Sequence, residues 1–170
     1  RIETGANDLI IMSGNVAMHI IGDDWTRTLR DVARGLKPGG RLAFEARNPL
    51  AAAWRTWNDA PTERDTPVGP LRESATTDPP GADGVVTMHC HNEFIDDGSA
   101  IDVDVRLQFR TLEQVVTDLS AAGLEVINVW RDWARTPFTN TEAEPFMVFE
   151  ARISTAGRDR LLTGINGDRP

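Results

Sequence analysis

Between Asp8 and Pro49 the chain carries a strand, a polar turn, an amphipathic helix, a Pro-Gly-Gly turn and a second strand, in that order. Two strands joined through a helix lie parallel and cross over right-handedly, so this stretch commits the chain to an α/β architecture. Leu9, Ile10, Ile11 and Met12 form a continuous apolar run, the pattern of a strand covered on both faces. Ser13-Gly14-Asn15 breaks that run at its carboxyl end. From Asp24 to Leu36, Trp25, Leu29, Val32 and Leu36 recur at helical spacing. Asp23 or Asp24 can cap the helix, and both carboxylates suit the positive end of its dipole. Pro38-Gly39-Gly40 ends it and leads into a strand over Arg41–Ala46.

With 170 residues, 40% of them hydrophobic, the chain is expected to form one domain with a substantial core. Lys and Arg number 18 against 26 Asp and Glu, a net charge of −8. That balance argues against a general nucleic-acid backbone binder. No apolar run reaches membrane-spanning length and no signal-peptide pattern opens the chain, so no membrane partner is expected. The single cysteine, Cys90, cannot form an internal disulfide, and a reducing cytoplasm is the expected setting. The chain opens on Arg1 rather than Met, which reads as processing or as a fragment.

Further along, Ala51–Trp57 reads as a short helix. Residues 59–84 hold five prolines and no apolar period, and read as a long loop, a lid or a binding segment. Val86, Met88, Cys90 and Phe94, then Ile101, Val103, Val105, Leu107 and Phe109, alternate with polar residues on two arms around Asp96-Asp97-Gly98-Ser99. This is a hairpin with one apolar face packed down. A loop over Asp96–Ser99 would set Cys90 opposite Val105, Met88 opposite Leu107, His91 opposite Asp104 and His89 opposite Arg106. Thr111-Leu112-Glu113-Gln114 is a capping box, opening a helix that carries Leu112, Val115, Val116 and Leu119 on one face and stops at Gly123. Strands are expected over Val126–Trp130 and Phe146–Ile153, and residues 154–170 as a disordered tail. The domain is thus residues 1–153, with 59–110 as an insertion.

Three segments carry a family resemblance: Asp8-Leu9-Ile10-Ile11-Met12-Ser13-Gly14, Leu36-Lys37-Pro38-Gly39-Gly40-Arg41-Leu42-Ala43-Phe44-Glu45, and Leu119-Ser120-Ala121-Ala122-Gly123-Leu124-Glu125-Val126. In this order they resemble the second half of class I S-adenosylmethionine-dependent methyltransferases, from Asp8 to about Ile153. The resemblance implies a partial Rossmann-like sheet made of the fourth to seventh strands, with an inserted antiparallel β-hairpin. Phe146–Ile153 would be the antiparallel seventh strand between the fifth and sixth. It further implies S-adenosylmethionine as cofactor and methyl transfer to a small-molecule acceptor. The family's Gly-rich loop after the first strand and the acidic residue after the second have no counterpart, since no Gly-x-Gly follows a strand in this chain. The family's sheet order also leaves Leu9–Met12 as an unprotected apolar edge. An upstream portion or another chain, including a second copy, is expected to cover it.

Ligands of open α/β sheets bind outside the carboxyl ends of the strands. That rule selects Met12, Ser13, Gly14 and Asn15 after one strand, and Glu45, Ala46, Arg47 and Asn48 after the next. By resemblance the first group contacts the cofactor beside the transferred methyl and the second borders the acceptor. Ser13-Gly14-Asn15 reads equally as a tight turn. His19 is the candidate general base, or a structural histidine beside Met18 and Ile20. Trp54 and Trp57 are candidates to wall an acceptor, or core packing. Arg47 reads as a carboxylate clamp or as a surface ion pair. His89 and His91 share a strand face opposite to Cys90, so the three cannot chelate together. A site from His89, His91 and Asp104 is the remaining metal option, against a solvated strand face, and no metal is expected. The leading expectation is an incomplete methyltransferase. The alternative is a non-catalytic interaction module pairing through its exposed first strand.

Overall fold

The computed structural model describes residues 2–154. In chain order the elements are β1 (Asn7–Met12), α1 (Val16–His19), α2 (Asp23–Gly35), β2 (Leu36–Arg47), β3 (Asp59–Thr66) and β4 (Gly69–Thr77). There follow β5 (Val85–Phe94), β6 (Ser99–Gln108), α3 (Leu112–Ala121), β7 (Leu124–Trp130) and β8 (Phe146–Ile153). The chain divides into two compact units: Arg1–Ala51 with Arg110–Pro170, and Ala52–Phe109. The expectation of a disordered tail over residues 155–170 lies outside the described residues.

The first unit holds a four-stranded sheet in the order β1-β2-β8-β7. β1 runs parallel to β2, while β8 is antiparallel to both β2 and β7. Phe146–Ile153 therefore takes the place expected of the antiparallel strand inserted between parallel neighbours. One face of the sheet carries Ile10, Met12, Leu42, Phe44, Met147, Phe149 and Ala151, aligned by the strand registers. Phe44 stacks on Phe149 with centroids 5.0 Å apart, and Trp25 of α2 sets its ring edge-on to Phe44 at 5.7 Å. Leu29 and Val32 of α2 and Val115 and Leu119 of α3 are fully buried with them. Burying each such side chain contributes about 1.5–3 kcal/mol, so this layer dominates the unit's stability. Trp25 Nε1 donates to Asp118 Oδ2 at 2.9 Å, tying α2 to α3.

The opposite face of β1 is different. Leu9 and Ile11 are each 53% exposed on the outer strand of the sheet. The apolar run was expected to be covered on both sides, but helix α2 packs only on the Phe44 side. The edge itself is where the sequence placed it.

Three local expectations change. The residue capping α2 is Gly22, and no side chain caps it; Asp23 and Asp24 sit inside the first turn, where the dipole still favours them. β2 starts at Leu36 rather than Arg41 because Asn7 bridges to Leu36 across an irregularity in the β1–β2 ladder. A Cβ on Gly40 would lie 2.9 Å from the Asn7 carbonyl oxygen, so glycine is what allows the approach. Ala51–Trp57 is not one helix but two 3₁₀ turns, Pro49–Ala51 and Ala53–Thr56, separated by Ala52 at φ 46°. The capping box is present as expected: Gln114 N–H donates to Thr111 Oγ1 at 3.2 Å and Thr111 N–H to Gln114 Oε1 at 2.8 Å.

The second unit is an antiparallel sheet in the order β3-β4-β5-β6. The proline-rich segment, expected as a loop, supplies two of its strands. Its prolines fall where a missing N–H does little harm: Pro61 on the outer strand β3 at a register irregularity, Pro67 in the two-residue turn between Thr66 and Gly69, and Pro70 near the start of β4. Charge pairs replace the missing apolar period: Arg64 with Glu73, and Arg72 with Glu63 and Glu93. The β5–β6 register is shifted by two from the expected one. Phe94 faces Ser99, so Cys90 faces Val103, Met88 faces Val105, His91 faces Asp102 and His89 faces Asp104. Gly98, at φ 69°, returns its N–H to the Phe94 carbonyl at 2.8 Å and closes the loop one residue earlier on each arm. A shift of two preserves which face each side chain occupies. The apolar face is not packed along its whole length, however: Val86 and Leu107 are buried, while Ile101 is 53% and Val103 44% exposed.

Candidate functional site

β1 and β2 are parallel neighbours, with Met12 paired to Phe44, so their carboxyl ends open side by side. The segment leaving β1 turns through two left-handed residues, Gly14 at φ 71° and Asn15 at φ 59°. Asn is among the few residues that tolerate this region. The turn is fixed to the neighbouring strand end, because the Asn15 N–H donates to Glu45 Oε1 at 2.9 Å. The other oxygen of Glu45 accepts from the indole N–H of Trp133, in the segment between β7 and β8. One carboxylate thus joins two loops at the carboxyl edge. The side-chain oxygen of Asn15 is buried and has no hydrogen-bond partner. Leaving such an acceptor unsatisfied costs about 1–3 kcal/mol, and a donor placed there would recover it.

Met12 is buried while Ser13 and Gly14 are exposed. His19 is exposed at the last position of α1. Buried Met18, one residue before it, receives the Arg47 N–H at its sulfur, 3.4 Å away. The Arg47 guanidinium lies 4.9 Å from the ring centre of Phe146. Burial lowers its pKa and the nearby Glu45 carboxylate partly restores it. Asn48 is 1% exposed and its amide is engaged at both ends: Nδ2 donates to the Thr141 carbonyl at 3.0 Å, and Oδ1 accepts from Leu50 N–H at 3.1 Å. Met12, Ser13, Gly14, Asn15, His19, Arg47 and Asn48 therefore belong to the first unit. Trp54 and Trp57 belong to the second, where both pack against Phe109 with ring centres 4.7 and 5.8 Å away.

Two carboxylates have supporting roles not read from the sequence. Glu45 is expected in the segment bordering the acceptor, but not as a tie between two loops. Glu144 is 5% exposed and accepts from Thr139 and Thr141, through both their N–H groups and their hydroxyls. Burial works to raise its pKa, but those bonds outweigh it and hold the carboxyl below its ordinary range. The signal was present: Thr141-x-x-Glu144 has capping-box spacing. Behind this latch, Pro145 and Thr141 offer the carbonyls that hold Asn48.

Arg110 anchors α1 from below. It is 6% exposed, donates to the carbonyls of Ala17 and Ile20, and lies 4.4 Å from the Trp25 ring centre. Burial lowers its pKa to about 10, opposed by Asp118.

The histidines of β5 do not form the trio weighed above. His89 bonds Asp104 at 2.7 Å and Asp78 at 3.1 Å, whereas His91 bonds Asp102 at 2.7 Å. Among the described residues, no group of three or more His, Cys, Asp or Glu is arranged to hold a metal ion.

No family model matches the chain, and no curated protein matches it. Solved structures do. An S-adenosylmethionine-dependent methyltransferase from Clostridium acetobutylicum is 14% identical, with a TM-score of 0.69 over 91% of this chain and 61% of its own. The CcbJ methyltransferase from Streptomyces caelestis is 18% identical, with a TM-score of 0.66 over 91% and 61%. A sugar N-methyltransferase from Streptoalloteichus is 16% identical, with a TM-score of 0.61 over 89% and 59%. The chain thus spans about three-fifths of the length of each of these structures. It has the fold of the carboxyl-terminal portion of the class I S-adenosylmethionine-dependent methyltransferases, as its motifs implied.

Proposed function

We propose that the chain is the acceptor-side portion of an S-adenosylmethionine-dependent methyltransferase acting on a small molecule. The observation that carries this reading is the turn after β1, tied to Glu45 at the carboxyl end of β2 in a sheet of methyltransferase fold, with the buried Asn15 Oδ1 left unpartnered. When bound, S-adenosylmethionine supplies an electrophilic methyl group: the acceptor's lone pair takes the carbon, and the C–S bonding pair returns to sulfur. The chain's own residues position and screen. Asn15 Oδ1 accepts a hydrogen bond from an amine or ammonium donor of the cofactor. Glu45 holds Asn15 in place by its backbone. His19 takes the proton that the acceptor loses, and Arg47 pairs with an acceptor carboxylate. Such transfer depends mainly on in-line positioning, so rigidity of the Ser13–Asn15 turn matters more than any single base.

A sugar N-methyltransferase stands among the structural neighbours, which makes an amine-bearing small molecule the acceptor class to test first. No described helix is long and apolar enough to cross a membrane. Cys90 is a free thiol, in keeping with a reducing cytoplasm.

A second reading is favoured by one observation, the half-exposed Leu9 and Ile11 on an outer strand. They line a recess of 290 Å³ with Ala43, Trp130, Trp133 and Val148, and this suits an interaction module that pairs through β1. Titration calorimetry with S-adenosylhomocysteine separates the two, run on the chain and on any longer natural form of it. Binding by either supports the methyltransferase, and binding by neither leaves the interaction module.

A further inference from the structure

We infer that His89 and His91 together chelate one divalent transition-metal ion, of the Zn²⁺ class, through their Nε2 atoms, with water completing its shell. The two histidines alternate with Cys90 along β5, so they stand on one face of the sheet, about 6.7 Å apart along the strand. Imidazoles at this spacing can converge on a single ion held about 2.0–2.1 Å from each nitrogen. Cys90 lies on the other face and takes no part.

The way each ring is held sets this pair apart from two ordinary surface histidines. The register places His89 opposite Asp104 and His91 opposite Asp102. Each Nδ1 meets the facing carboxylate at 2.7 Å. A carboxylate at one ring nitrogen keeps the proton there and leaves the other nitrogen with a lone pair to give; metal-binding histidines are almost always supported by such an acceptor. Both Nδ1 atoms turn toward β6, so both Nε2 atoms turn toward β4, which flanks β5 on its other side. There the histidines border a recess of 320 Å³ shared with Ser74 and Thr76. His91 Nε2 has no partner among the described residues. His89 Nε2 meets Asp78 Oδ2 at 3.1 Å, a contact between exposed groups that is worth little in water and that a metal ion replaces. Imidazole nitrogen selects zinc, nickel or copper over magnesium and calcium, which take oxygen ligands.

Calorimetric titration of the chain with ZnCl₂ in excess MgCl₂ tests this. The expected result is saturable binding of one Zn²⁺ per chain. His89→Asn and His91→Asn should each weaken it by about tenfold or more, and so should Asp102→Asn, which touches no metal but orients the His91 ring. His19→Asn, at the third histidine of the chain, should leave it unchanged. With Cu²⁺ as probe, electron paramagnetic resonance should show two coordinated nitrogens in wild type and one in either β5 variant. All three β5–β6 positions are exposed, and circular dichroism checks that each variant stays folded. No binding up to about millimolar Zn²⁺ overturns the inference. So does binding that Mg²⁺ abolishes, which marks diffuse attraction to an acidic surface, and so does binding that survives His91→Asn or is lost in His19→Asn.

Discussion

Glu45 and Asn15 are thirty residues apart in sequence, yet the carboxylate of the first accepts the backbone N–H of the second at 2.9 Å. The bond crosses from the end of β2 to the turn after β1 and holds a left-handed asparagine in place. The same carboxylate takes the indole N–H of Trp133. Glu45→Ala strands two donors, and a cost of about 1–3 kcal/mol follows. Glu45→Gln, which keeps one acceptor oxygen, should lose less. Urea unfolding of both variants checks the order, which should reappear in their affinities for S-adenosylhomocysteine. Equal stability of Glu45→Ala and wild type would contradict the latch.

Arg110 bears on the same turn from beneath α1. Arg110→Met keeps much of the apolar stem but leaves the carbonyls of Ala17 and Ile20 without their donor. We expect a loss of about 2–4 kcal/mol, together with a change in the fluorescence of Trp25, whose face the guanidinium covers. A thermal midpoint unchanged from wild type counts against this role.

His89 supplies a pH dependence. Its bonds to Asp104, and secondarily to Asp78, raise its pKa above the ordinary 6.5, against a smaller opposing effect of burial. A raised folded value means the protonated form is favoured by folding. The contribution is therefore complete below the unfolded value and lost as pH rises through the folded one. Urea midpoints should fall across that window in wild type and fall less in His89→Gln. Identical profiles would remove His89 from the account.

Thr111 caps α3, and its replacement by alanine removes the acceptor for the Gln114 N–H. The expected cost is about 1 kcal/mol. Thr111→Ser, which keeps the hydroxyl, should restore most of it in the same denaturation assay.

The parts of the fold that could be read from the chain were those with short-range causes. Trp25, Leu29 and Val32 announce a helix by spacing, Thr111 and Gln114 announce its neighbour by a local pair, and Gly123 announces an end. What escaped depended on contacts distant in sequence. The prolines of residues 59–84 look like loop signals until Pro61 is seen to occupy an outer strand, where its missing N–H costs little. The hairpin register turned on a single left-handed glycine, Gly98. The Ser13-Gly14-Asn15 turn was legible because a polar break follows an apolar run. The position of Glu45 at a strand end was legible too, but its bond to Trp133 was not, because that partner lies eighty-eight positions away. Nor could sequence spacing reveal that the Asn48 amide bonds Thr141 and Leu50, or that Trp54 and Trp57 pack on Phe109.

The central claim is that the turn after β1 forms part of a cofactor site. The most direct measurement is a ¹H–¹⁵N NMR titration of the chain with S-adenosylhomocysteine, which registers even binding as weak as about millimolar. The account predicts saturable shifts concentrated on the amides of Ser13, Gly14 and Asn15 and on the Asn15 side-chain NH₂, with the Trp133 indole following. Shifts absent from that turn at saturating ligand, or scattered evenly over the chain, would contradict it.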